Sequence, residues 1–133
     1  MGLNNTKIKK LIFLQIIIFV LLPLNLFAVS PEDQTKIDLA NSLEKQGVSY
    51  YEQGNFPEAE ILVKRSLSIR EKVFGPEHPT VSISLGKLAF LYINQERYAE
   101  AEPLYKRSLA ILEKSYGPDY PDVATSLNNL ALL

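Results

Sequence analysis

The chain of 133 residues has no cysteine and one histidine, and its first thirty residues carry no acidic side chain. Without thiols, a disulfide framework, a thiolate metal site and a lipoprotein thioether anchor are all excluded, so packing must stabilise the fold. His78 stands without a patterned carboxylate beside it, and no glycine-rich loop follows a strand pattern. The sequence therefore offers no nucleophile with a base, no metal cluster and no phosphate cradle, and neither catalysis nor a cofactor is expected. A basic stripe is lacking too. After residue 28 there are 11 basic and 15 acidic side chains, a formal charge of -4, which argues against a nucleic-acid surface. The pairs Lys64-Arg65 and Lys106-Arg107 are flanked by carboxylates and read as solvated helix faces.

What is present begins with an asymmetric amino-terminal segment. Lys7, Lys9 and Lys10 precede an apolar run over residues 11–29, broken only by Gln15, Pro23 and Asn25, and a polar stretch follows. That order is the order of a secretory signal, with Ala28 the best residue to precede a cut. An uncleaved membrane anchor is the alternative, because nineteen helical residues reach roughly 28 Å. Either reading places the remainder outside the cytoplasm, exported or membrane-anchored. Residues 1–6 also fit the short N-myristoylation pattern, but the apolar run behind them is better explained by export.

The rest of the chain repeats itself. Displaced by 42 places, residues 45–91 pair with residues 87–133, and 23 of the 47 pairs are identical. The clearest block is "FPEAEILVKRSLSIREKVFGPEHP" at 56–79 against "YAEAEPLYKRSLAILEKSYGPDYP" at 98–121. A period in this range marks an array of one supersecondary unit stacked on itself. Each unit reads as two helices. Val81, Leu85, Leu88 and Tyr92 share one face of a helix over residues 79–94, and Ala101, Leu104, Tyr105, Ser108 and Leu112 share one face of a second over 98–115. The links "EQGN" and "NQER" are short enough to force antiparallel neighbours. Gly75 and Gly117 can close a helix with a left-handed residue, and Pro79 and Pro121 suit the first turn of the next. Ser30-Pro31-Glu32-Asp33 reads as a helix start, and Ile37, Ala40, Leu43, Gly47 and Tyr50 continue the stripe from it.

The repeated chemistry-bearing residues have structural explanations. Ser66 and Ser108 are small residues at a helix crossing. The pairs Glu58/Glu60 and Glu100/Glu102 open second helices, where negative charge suits the dipole. Tyr50, Phe56, Tyr92, Tyr98 and Tyr105 read as core, and His78 as a linker residue beside prolines. Gly47, Ala59, Ala89 and Ala101 are small because helices cross there.

These units resemble the tetratricopeptide repeat, in the 42-residue form of kinesin light chains. The family positions fall on Leu43, Gly47, Tyr50, Gly54, Phe56, Ala59, Val63 and Ser66 in the first copy. In the second they are Leu85, Leu88, Ala89, Tyr92, Tyr98, Ala101, Tyr105 and Ser108, and in the third Leu127, Leu130 and Ala131. Two departures stand out: Gln46 occupies a leucine position, weakening the outermost packing, and Glu96 replaces the glycine that Gly54 supplies, stiffening a turn. The resemblance implies an all-α solenoid over residues 30–133, with repeats at about 40–79 and 82–121 and a partial third at 122–133. It further implies a non-enzymatic scaffold that binds a peptide or protein in a concave groove, the alternatives being a structural segment that self-assembles or an auxiliary repeat domain of a longer protein. The groove residues carried over are Asn41, Glu44, Lys45 and Val48, then Ile83, Lys87, Phe90 and Asn94, then Thr125, Asn128, Asn129 and Leu132. Lys45, Lys87 and Asn129 would form a column of donors for the carbonyls or acidic groups of an extended peptide. The array stops one helix into its third unit, so the expectation is either a longer array or cover for Leu127, Leu130, Leu132 and Leu133 by self-association.

Overall fold

The computed structural model describes residues 9–10 and 29–131. The apolar segment of residues 11–28 and the terminal Leu132 and Leu133 lie outside the described residues. From Glu32 onward the chain forms one unit, made of five helices: α1 Pro31–Glu52, α2 Phe56–Phe74, α3 Pro79–Ile93, α4 Tyr98–Tyr116 and α5 Pro121–Ala131. No strand occurs among the described residues. The architecture is the expected all-α solenoid, with each helix packed on its neighbours. Pro31, Pro79 and Pro121 each stand first in a helix, where a missing N–H costs nothing.

The turns within the hairpins are copies of each other. In the first, the N–H of Gly54 donates to the Tyr51 carbonyl at 2.9 Å and that of Asn55 to the Tyr50 carbonyl at 2.8 Å. In the second, Glu96 donates to Ile93 and Arg97 to Tyr92, both at 2.9 Å. This pairing closes a helix only if the residue after the cap turns left-handed. Gly54 does so at φ 74 without strain, and Glu96 is forced to φ 59 with a side chain attached. The substitution thus strains the turn in addition to stiffening it.

Close approach explains the small residues. A methyl on Gly47 would sit 2.9 Å from Val63 Cγ2 and 3.3 Å from the Ala59 carbonyl oxygen, so α1 rests directly on α2. Ala59, Ala89 and Ala101 have no exposed surface. The recurrent serines do more than save space. Ser66 Oγ donates to the Ala40 carbonyl at 2.9 Å, and Ser108 Oγ donates to the Ser82 carbonyl at the same distance. Each bond pins the second helix of a hairpin to the first, one period apart.

Between hairpins, the N–H of Gly75 and of Gly117 bonds back to the carbonyl four residues earlier. Their φ values of 92 and 87 are positive as expected. Their ψ values of 154 and 166 place them in the mirror-extended region open essentially to glycine alone, instead of the left-handed helical region. His78 caps α3: its Nδ1 accepts from the Thr80 N–H at 3.2 Å while the ring stacks on Phe74 at 4.7 Å. Tyr116 and Tyr120 repeat that stack at 4.5 Å.

The core runs through Val63, Leu67, Val81, Leu85, Leu88, Tyr92, Tyr105 and Ile111. Two aromatics expected there are outside it, since Tyr50 is 36% and Tyr98 47% exposed. Tyr50 lies on the first helix of the unit, and no hairpin among the described residues precedes it to cover it. Its counterpart Tyr92 is covered, lying under the Arg97 guanidinium at 4.2 Å and donating its hydroxyl to Glu60 at 3.1 Å. Glu60 also pairs with Lys64 and Arg97. Burial opposes its charge, yet the hydrogen bonds from Lys64, Arg97 and Tyr92 prevail and hold its carboxyl below the usual range. Gln46 is exposed and bonded to Ser42, so a polar residue at that leucine position suits the open face of α1.

Replacing Glu96 with Gly should raise stability by about 0.5–1 kcal/mol, as relief of left-handed strain outweighs the extra freedom of the unfolded glycine. Urea unfolding measures the change, and an unchanged or lower midpoint would contradict the strained turn.

Candidate functional site

Alternation of antiparallel helices makes α1, α3 and α5 run in one direction, with α2 and α4 behind them. The face of the three odd helices encloses a cavity of about 470 Å³. Its floor comes from Val63 on α2 and from Tyr105, Ser108 and Leu112 on α4, where buried apolar surface predominates. Val48 and Tyr51 of α1, Ile83, Gly86 and Phe90 of α3, and Thr125, Ser126 and Asn129 of α5 form the walls. Ile83 is 54% and Phe90 48% exposed, so two large apolar side chains face solvent inside a concave surface. Burial pushes the Tyr105 phenol above its ordinary value, which keeps the floor uncharged.

Of the residues carried over by resemblance, Val48, Ile83, Lys87, Phe90, Thr125 and Asn129 line this cavity. Asn94 sits just beyond α3 and accepts a hydrogen bond from Tyr51 at 3.3 Å. Lys45 and Asn128 are exposed but outside the lining, so Lys87 and Asn129 alone represent the donor column there. Leu132 lies outside the described residues. Glu44 and Asn41 are engaged elsewhere. Glu44 is 6% exposed and bound by Arg70, itself 8% exposed, through contacts of 2.7 and 3.4 Å. Arg70 reaches Asn41 at 2.9 Å and Ser84 at 2.7 Å as well. Lys87 Nζ stands 3.3 Å from Glu44 and shares that carboxylate with Arg70. Glu44 was expected in the groove; it is buried because Arg70, projecting from α2 between α1 and α3, needs a carboxylate once water is removed.

One period later that network is gone. Gly86 takes the place of Glu44 and Leu112 that of Arg70, while Ser126 keeps the place of Ser84. A methyl built on Gly86 meets no atom within 4 Å, and both Gly86 and Leu112 line the cavity. The first unit therefore fills with an ion pair the space that the second leaves open. Tyr51, Glu52, Gly86, Leu112 and Asp122 are lining residues that the repeat pattern alone does not point to. The departure from identity at the pairs 44/86 and 70/112 is the signal that marks two of them.

Arg70→Leu alone should cost about 3 kcal/mol by leaving Glu44 buried with only Lys87 at 3.3 Å and the Ser84 hydroxyl at 3.5 Å near it. Adding Glu44→Leu should recover most of the loss, because an apolar pair replaces a desolvated ionic one. Denaturant melting of both variants tests this, and equal losses would contradict it.

Two models described as tetratricopeptide repeat match the chain in tandem, one over residues 38–80 and the other over residues 81–133. No curated protein gives a significant match. Among the described residues no three histidine or acidic side chains gather as metal ligands, and no helix is long and apolar enough to cross a membrane. With both hairpins, apart from the first two turns of α1, and the single helix after them lying inside the matched spans, the chain belongs to the tetratricopeptide repeat family, whose repeats are protein–protein interaction modules.

Proposed function

We propose that the chain is a non-enzymatic scaffold that holds an extended segment of a partner protein in the groove of α1, α3 and α5. The observation that carries the reading is the exposure of Ile83 and Phe90 within a cavity whose floor is mostly apolar and whose walls set Val48, Ile83 and Phe90 beside the polar Thr125 and Asn129. Large apolar side chains left uncovered in a concavity mark a recognition surface, and an aromatic side chain at its centre is the usual energetic anchor. Asn129 and Thr125 supply amide and hydroxyl groups to the backbone of an extended ligand, while Val48, Ile83 and Phe90 receive its side chains. The lysine-led apolar segment of residues 1–28 directs this scaffold across a membrane, either as a removed signal or as a retained anchor.

Peptides enriched on the full chain from a display library of extended sequences should lose at least about tenfold in affinity for Phe90→Glu, with helicity unchanged. Enriched peptides that bind this variant as well as the parent would overturn the groove reading. For the leader, amino-terminal sequencing of the exported chain should begin at Val29; a start at Met1 would instead identify an anchor.

A further inference from the structure

Three charged side chains, Glu52, Lys87 and Asp122, line the cavity. Lys87 is held by Glu44, whereas neither Glu52 nor Asp122 has an ionic or hydrogen-bonding partner among the described residues. Glu44, shared by Arg70 and Lys87, leaves one net positive charge against the two carboxylates, so the balance of charge at the groove is negative. The end of α1 strengthens this sign, because α1 has no basic residue in its last turn and Glu52 is its last residue, adding a carboxylate to the negative end of the helix dipole. Asp122 lies in the first turn of α5, at the opposite end of the parallel helices. Between them lies the space opened where Gly86 and Leu112 replace the ion pair of the preceding unit.

We propose, building on the groove reading above, that the occupant is an extended peptide with one bulky apolar residue flanked by lysine or arginine on both sides. The apolar side chain fills the space over Gly86 and Leu112, and the flanking cations pair with Glu52 and Asp122. An acidic ligand, which a lysine column would favour, is disfavoured because Lys87 already shares Glu44 with Arg70 and because Glu52 and Asp122 would repel it. Charge complementarity chooses the ligand, and the missing side chain at position 86 sets its depth.

Three pools of labelled twelve-residue peptides in a Ser/Gln/Gly background test this on the full chain by fluorescence anisotropy. One carries a central Phe or Leu flanked by Lys, the second the same centre flanked by Glu, and the third a central Ala flanked by Lys. The first pool should bind at least about tenfold tighter than either other, and its advantage over the Glu pool should shrink between 50 and 500 mM salt, conditions that shorten the screening length severalfold, to a few ångström. Glu52→Gln with Asp122→Asn should abolish the preference for Lys flanks. Gly86→Leu, which meets open space in the interior of α3, should weaken the first pool about tenfold with the melting temperature equal or higher. Equal or tighter binding of the Glu pool, or no effect of Gly86→Leu, overturns the proposal. If the Glu pool still binds in a manner abolished by Phe90→Glu, the groove reading survives and the charge assignment alone fails. If every pool binds Phe90→Glu as well as the parent, both fall.

Discussion

Everything in this structure depends on how closely the two helices of a hairpin approach. At Gly47 the backbone of α1 meets α2 with no room for a methyl, and at Ala89 and Ala101 a methyl is the most the crossing accepts. That proximity lets a short side chain such as Ser66 or Ser108 reach a carbonyl across the crossing, on the adjoining helix. A larger residue would not only overpack the contact but also carry the hydroxyl out of reach. Packing and hydrogen bonding therefore fix the same angle, and with it the direction in which the next hairpin must leave. The concave face follows from that angle, since the odd helices are left side by side with the even ones behind.

On this common frame the two hairpins differ where they meet the groove. The first closes its inner surface with Glu44 and Arg70, a pair whose desolvation is offset by Asn41, Ser84 and Lys87. The second has no such pair and leaves an open space over Leu112. Because frame residues recur and filling residues do not, the same architecture presents a sealed wall at one end and a receptive hollow at the other. The cavity is a product of divergence between copies, not of the repeat as such.

The division between frame and filling also explains what could be read from the residues alone. Helix order, the short antiparallel links and the placing of Val81, Leu85, Leu88 and Tyr92 on one buried face are set by period and punctuation, which are local and repeated. The groove position of Val48, Lys87, Phe90 and Asn129 came through the resemblance. The burial of Glu44 was not legible, because it depends on Arg70, 26 positions away on another helix. Tyr50 escaped for a similar reason: an aromatic in register is buried only if a neighbouring hairpin lies over it. The left-handed Glu96 was signalled by Gly54 one period earlier, but its strain is a matter of backbone angle that composition does not record.

The uneven ion pairing has a consequence for motion. The segment from α1 to α3 is laced by buried charge, whereas α5 is anchored mainly by Val123, Ser126 and the flank of Leu130. In a linear array, local opening begins where the interface between neighbours is weakest. Of the described helices α5 is therefore the one expected to exchange its amide protons with solvent first. The wall of the hollow that α5 forms is thus its least firmly held side.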